Sequence, residues 1–542
     1  MNTKKFGFSL VEVILANAVF ALLLVSLVGI YLYGQESSML AGNRNRAILM
    51  AEEGIEAVKN IADNAFANLV DGTYGLTTTT NQWNLSGSSD VRDIFTRQVN
   101  ISTVDSRRKD ITSTVTWDQN LQRAGSVSTV TRLSDWTTTV SSRSMMVYSK
   151  NTATPFYRLW DGATWGAEQS ATNVTGLIQY MVIKFAKDRD EAILGTITNS
   201  GDIQVQIWNG ATWSTVKTLA NVGTTNDGYR GLDIEYETSG DRAMVVFNNA
   251  NSADPAYTIW DGVSWTAVTP ITDPPTTGAP LWIELARNPG GTSDEIAMIF
   301  SDANIDVYGM VWDGSTWSTM GAAAVWDATA AIATEKIIDV AYEQNSGEAM
   351  FIWGDSVSTD QYYRTWNGTT LSAATLLDIS TAGGVANWIK LTPRPNSDEL
   401  LYGVVDAGSD LNTRKWSGTA WDTVTQHPEH SAGVEGNASQ VFDIAFETYG
   451  TNAGKAWLVW GNGTTVSAKL WSGTAWGAAA TLTGSDDTAY VVLHANPGTG
   501  EVFALIYEAT ASASDDILEW RLTGGGATWS AKNTIWAGAV TT

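Results

Sequence analysis

From Phe8 to Tyr33 the chain is apolar except for one charge, Glu12. A helix of that length spans the roughly 30 Å hydrocarbon core of a membrane. Lys4 and Lys5 precede it, so the positive-inside rule keeps the N-terminus cytoplasmic and sends the chain beyond Tyr33 outward. Apolar positions then recur at helical spacing, at Ala47, Ile48, Ala51, Ile55, Val58 and Ile61, which carries the helix to residue 64. From residue 65 the period changes. Asp110–Trp117 alternates as a strand, and Ser126–Leu133 is its hairpin partner across Asp118–Gly125.

Beyond residue 140 short apolar runs repeat around one motif. It reads Trp160-Asp161-Gly162-Ala163-Thr164-Trp165, and recurs at Trp208–Trp213, Trp260–Trp265 and Trp312–Trp317. Weaker copies start at Trp366, Trp416, Trp471 and Trp520. First tryptophans are separated by 48, 52, 52, 54, 50, 55 and 49 residues. A period near 50 with several short strands predicts a β-propeller. One unit has strands at Trp282–Ala286, Asp294–Phe300, Asp306–Trp312 and Thr316–Ala322. Asp-Gly and Asn-Gly predict tight hairpins, because both turn positions tolerate positive φ. The flanking tryptophans can meet across each hairpin.

Eight copies predict eight blades. The first copy has a second strand at Arg143–Ser149 but little room before it, so seven complete blades plus an adaptor is the alternative.

Composition sharpens the boundary. The 542 residues carry a net charge of −25. Residues 1–142 hold 12 basic and 13 acidic side chains, which leaves 20 basic and 44 acidic ones for the rest. All 11 prolines lie at or after Pro155, and 22 of 25 tryptophans lie after residue 142. Two dissimilar parts therefore meet near residue 140. The acidity argues against a nucleic-acid partner, which needs clustered Lys and Arg. There is no cysteine, which excludes disulfides and thiolate metal sites.

Glu12 is the informative residue of the apolar run. A carboxylate there costs about 2.5–3.5 kcal/mol at mid-membrane and calls for a partner. Lys4-Lys5-Phe6-Gly7 followed by Phe8-Ser9-Leu10-Val11-Glu12-Val13-Ile14-Leu15-Ala16 resembles the leader and helix start of type IV prepilins and type II secretion pseudopilins. Met50–Val58 and Leu133–Trp136 are similar to the same group. The resemblance covers residues 1 to about 140 and is strongest at the start. It implies that a prepilin peptidase cuts after Gly7, that Phe8 is then N-methylated, and that Glu12 pairs with the terminal amine of a neighbouring pilin subunit. A buried carboxylate beside a buried ammonium is tolerable where either alone is costly. Many pilins have a proline inside the first helix. Here Gly29 stands alone, so any softening there rests on glycine.

The implied organisation is multidomain. It comprises a leader (1–7), a pilin helix (8–64, with 8–33 spanning the membrane), a small antiparallel β domain (65–140) and an all-β propeller (141–542). Candidate chemistry in the propeller is sparse. The tryptophan motif resembles the Asp-box of sialidase-type propellers, but its Asp and Gly are adjacent rather than separated by one residue. Trp160, Trp165, Trp208, Trp213, Trp260, Trp265, Trp312 and Trp317 either pack between blades or stack on sugar rings. His427-Pro428-Glu429-His430 has metal-ligand donors, and Asp486-Asp487 and Asp515-Asp516 are acidic pairs, but none has the spacing of a dedicated site. No catalytic set, metal site or cofactor motif stands out, and no enzymatic activity is expected.

The expected function is a pilin-like subunit, processed from the membrane into an extracellular filament. Its propeller serves adhesion or binds an extracellular ligand, with a glycan as the leading class. A 400-residue appendage on every subunit would be bulky, which favours a minor or tip position. A major subunit coated with propellers and an anchored glycan hydrolase are the alternatives.

Overall fold

The computed structural model describes residues 9–538 apart from 80–81, 106–107, 121–122, 135–143, 226–228, 273, 276–277, 330–334, 356–357, 380–383, 424–426, 428, 435–438, 449–452, 464, 483–487, 498, 509–514, 524–525 and 527. Gly7, Phe8 and the Asp486-Asp487 pair lie outside the described residues. The chain divides into two compact units, Met1–Thr139 and Val140–Thr542.

The first unit is built on α1 (Leu10–Asn64), a single helix of 55 residues. At 1.5 Å per residue it is roughly 80 Å long. Ser9 caps it: the Ser9 hydroxyl accepts from the Glu12 amide, and the Glu12 carboxylate accepts from the Ser9 amide. The helix has two halves of opposite character. Apolar side chains from Leu10 to Tyr33 stand open, whereas Ala47, Met50, Ala51, Ile55, Val58 and Ile61 are buried. Ile48, expected on the same stripe, is only half-buried. The helix runs unbroken through Gly29, where a Cβ would meet nothing within 4 Å.

The buried half lies on an antiparallel sheet of β1 (Gly72–Thr79), β2 (Gln82–Ser86), β3 (Asp90–Arg92), β4 (Phe95–Asp105), β5 (Arg108–Asn120) and β6 (Arg123–Ser134). The order is β2-β1-β4-β5-β6, with β3 on β4. The expected hairpin is present and longer than its alternation suggested, since pairing continues to Asn120 and Arg123. Gly54 lets helix and sheet approach: a Cβ there would lie 2.3 Å from the Ser113 hydroxyl. Arg97 is buried at the same contact and bonds both Asp90 oxygens, the Glu53 carboxylate and the Met50 carbonyl.

The second unit holds eight small antiparallel sheets among the described residues. Sheets two to eight have innermost strands Ile178–Phe185, Leu232–Tyr236, Pro280–Arg287, Ile338–Tyr342, Ala386–Pro393, Phe442–Phe446 and Thr488–Ala495. The first sheet is Met145–Tyr148, Phe156–Leu159 and Gln169–Ser170. Trp160 follows its middle strand as Trp208 ends the third strand of the second sheet. Met145–Tyr148 is thus a second strand, and among the described residues none lies inside it.

The sheets nevertheless form a closed succession. Tyr157 and Ala171 of the first sheet pack with Ala192 and Trp208 of the second, and Met146 and Tyr148 pack with Ile517 and Ile535 of the eighth.

Neighbouring sheets are not equivalent. Inner strands of sheets two, four, six and eight have eight residues and one register shift, immediately before Tyr180, Trp282, Trp388 and Tyr490. Those of sheets three, five and seven have five residues and no shift. The true period is therefore two sheets, or 102 residues from Tyr180 to Trp282 and 106 from Trp282 to Trp388. In the fourth sheet three expected strands are present, but the last is only Trp317–Ser318. Met320 and Gly321 turn the chain away at positive φ.

Candidate functional site

In the first five copies the tryptophan motif forms a turn held by the side chain of its second residue. The Asp161 carboxylate accepts from the amides of Ala163 and Thr164, which holds its pKa below the usual carboxylate range. Asn209, Asp261, Asp313 and Asn367 hold equivalent turns. Only the glycine has positive φ, at 98° for Gly162. This corrects the expectation that both turn positions would be left-handed: the side-chain cap satisfies the turn amides without it.

The flanking tryptophans meet. Their ring centroids lie 5.4 Å apart in Trp160–Trp165, 5.5 Å in Trp208–Trp213, 5.3 Å in Trp260–Trp265 and 5.8 Å in Trp312–Trp317. Trp160, Trp208 and Trp312 are buried, Trp260 is half-buried, and the second member of each pair is half-buried. Four of the first tryptophans donate their indole N–H to a glutamate of the preceding sheet: Trp260 to Glu191, Trp312 to Glu237, Trp366 to Glu295 and Trp416 to Glu343. Trp160 does likewise with Glu501 of the eighth sheet. These glutamates lie far from their partners in sequence, so no local pattern could reveal them.

A second set of inter-sheet bonds surrounds the axis. Asp233 accepts from its neighbour Ile234 and from Leu285 of the next sheet. Asp339 does the same with Val340 and Leu391, and Asp443 with Ile444 and Leu493. Each aspartate thus clamps an odd-numbered sheet to the next even one.

Inside the inner strands is a cavity of about 1120 Å³. It has two tiers. At the N-terminal ends of the strands, Tyr180, Trp282, Trp388 and Tyr490 surround Arg230. The guanidinium carbon is 5.0 Å from the Tyr180 and Trp388 ring centroids and 5.1 Å from those of Trp282 and Tyr490. Rings from sheets two, four, six and eight converge on that carbon, so Arg230 reaches across the channel. Such enclosure is favourable for a cation, because each ring presents its negative face.

Further along lies a charged tier. Lys336 Nζ is 3.4 Å from Glu284 and 3.3 Å from Asp339, Lys184 Nζ is 3.0 Å from Glu235, and Lys390 Nζ is 3.7 Å from Asp443. Burial pushes the Asp233 and Glu284 carboxyls up, against Lys184 and Lys336 respectively. Burial alone would pull Lys184 down, but Glu235 and Asp233 outweigh it and raise the ammonium. Asp443 raises Lys390 likewise. With Arg230 and Arg287, five basic side chains and five acidic ones line the whole cavity. None of these residues belongs to a local motif. The aromatic tier draws one residue from every hundred, which no short window detects.

The His427–His430 segment joins a buried hydrogen-bond chain. Lys469 Nζ is 3.2 Å from His430 Nδ1, and His430 Nε2 is 2.8 Å from the Thr413 hydroxyl. Thr413 bonds His427 Nδ1 at 2.9 Å, and His427 Nε2 bonds Asp422 at 2.6 Å. Both ring nitrogens of each histidine are thus engaged within the fold. Among the described residues no group of three or more His, Asp or Glu converges as a metal site.

Glu12 lies on the open face of α1, its carboxylate closed on the Ser9 amide. Leu10–Asn64 is the one described helix long and apolar enough to cross a membrane.

No family model matches the chain, and no curated protein does. Solved structures similar to it include the BP39L lectin from Burkholderia pseudomallei, at 11% identity and a TM-score of 0.46, covering 66% of this chain and 98% of that one. The six-bladed fungal lectin of Aleuria aurantia, described with a fucose recognition mode, is similar at 12% identity and a TM-score of 0.33, covering 58% of this chain and 89% of its own. The SapL1 lectin in complex with alpha methyl fucoside has 14% identity and a TM-score of 0.34, covering 66% and 95%.

Proposed function

We propose that this chain is a type IV pilin-like subunit that displays its second unit as an extracellular binding module. The eight sheets are the blades of a closed propeller, the first of them incomplete. Prepilin peptidase cuts after Gly7, Phe8 becomes the methylated N-terminus, and Glu12 receives the amine of a neighbouring subunit. The propeller binds a surface ligand, with a glycan as the leading class, from a minor or tip position in the filament.

The observation that carries this reading is the division of α1. Its C-terminal half is buried on its own sheet, whereas apolar residues Leu10 to Tyr33 have no cover in the isolated chain. So much open apolar surface on one helix requires lipid or other subunits. A lone signal anchor needs no carboxylate five residues from a cleavable glycine.

The test is expression of the wild-type chain and Gly7→Glu in a host with a prepilin peptidase. Sheared filaments are then analysed by intact mass. The wild type should appear cut after Gly7 and N-methylated, and Gly7→Glu should stay uncut in the membrane. Normal incorporation of uncut protein would refute the reading.

A further inference from the structure

We infer that the central channel, rather than the tryptophan motifs, is the ligand site, and that it takes a neutral oligosaccharide. The inference rests on the proposed role as a binding module. Three properties of the channel lead to it.

The first is charge balance. Five basic and five acidic side chains face the lumen. Lys184, Lys336 and Lys390 are each already paired with a carboxylate, so a charged ligand would have to displace such a partner while being desolvated, which is costly in a confined site. A neutral ligand escapes that cost.

The second is the arrangement of those charges. The lysines are placed within 4 Å of carboxylates, as in Lys390–Asp443 and Lys336–Glu284. A sugar hydroxyl accepts from an ammonium and donates to a carboxylate at once, so it can bridge such a pair. Hydrogen bonds to charged groups are the stronger kind, which suits a ligand that brings only hydroxyls.

The third is the aromatic tier. Tyr180 and Tyr490 are half-buried and line the cavity beside Arg230. The ring surface not turned to Arg230 gives the apolar face of a pyranose a contact beside the fixed guanidinium. By volume the cavity exceeds the ~300–1,000 Å³ of small-molecule clefts. It has room for several sugar units at about 1120 Å³. The tryptophan motifs offer less, because the first rings Trp160, Trp208 and Trp312 are buried.

The test is a glycan panel with neutral, sialylated and amine-bearing oligosaccharides, probed with the full chain in detergent micelles. Binding should concentrate on neutral glycans. Lys390→Met and Tyr490→Ala should weaken it about tenfold or more. Tyr490→Phe should restore it, and Trp165→Phe and Trp317→Phe should leave it intact. Glu284→Gln replaces Lys390→Met if that variant melts early. A preference for charged glycans would overturn the channel inference. So would loss of binding in the tryptophan variants alone, which would move the glycan site to the sheet edges and leave the display reading standing. Binding to cell surfaces without binding any glycan would also overturn it, again leaving display intact.

Discussion

Trp160 of the first sheet donates its indole N–H to Glu501 of the eighth at 3.2 Å, and this bond spans the seam where the ring closes. Among the described residues no strand is shared across that seam. Side-chain packing and further bonds hold it, among them Trp165 to Glu519, Arg158 to the Ile535 carbonyl, and Arg521 to the Ala163 carbonyl.

Closure of this kind should make the seam sensitive to single changes. Glu501→Leu leaves the buried indole N–H unsatisfied and should cost about 1–3 kcal/mol. Trp160→Ala should cost about 3–5 kcal/mol through the cavity left behind. Chemical unfolding of the chain in detergent, followed by tryptophan fluorescence, measures both. Equal melting of Trp160→Ala and wild type would mean that the seam contributes nothing.

Asp339 accepts from the amides of Val340 and Leu391 with its two oxygens. Asp339→Asn keeps the shape but replaces one acceptor with a donor. The expected loss is about 1–3 kcal/mol, with faster amide exchange at Leu391 than at Leu493. Unchanged exchange at Leu391 would contradict the clamp.

Gly54 and Ser113 test the first unit separately. Gly54→Ala places a methyl 2.3 Å from the Ser113 hydroxyl and should destabilise the helix–sheet contact by about 1–3 kcal/mol. Adding Ser113→Gly should recover most of that loss. At Gly29, where the Cβ position is open, Gly→Ala should be neutral or slightly stabilising.

His430 should make the second unit acid-sensitive. Burial, with Lys469 and His427 adding to it, holds its pKa down at about 3. The folded state therefore keeps it neutral while the unfolded chain protonates near pH 6.5. Stability is fully present above that value and is lost as pH falls from about 6.5 toward 3. A drop of about 1–2 kcal/mol between pH 7.5 and 5 is expected, and His430→Gln should flatten it. The surrounding groups are Thr413, Lys469, His427, Asp422, Trp460 and Trp476. A variant with the same pH profile as wild type would exclude His430 as the cause.

What the sequence by itself determined was local. The apolar run around Glu12, the helical stripe from Ala47 to Ile61 and the Trp-Asp-Gly turns each lie within a few helical turns or six residues. Backbone geometry and solvent exposure are enough to read such patterns. Their eight copies match in number the eight sheets among the described residues of the second unit. Only the tertiary structure decided which side chains face the axis. Asp339 reaches Leu391 across 52 residues, and Arg230 meets four rings drawn from Tyr180 to Tyr490. In the sequence these residues look like ordinary positions in or beside a strand. Their roles arise because inner strands from separate sheets converge on one channel, and that convergence has no local signature. The pairing of sheets stayed hidden for the same reason: the tryptophan spacing repeats every blade, whereas the clamps and bulges repeat every second one.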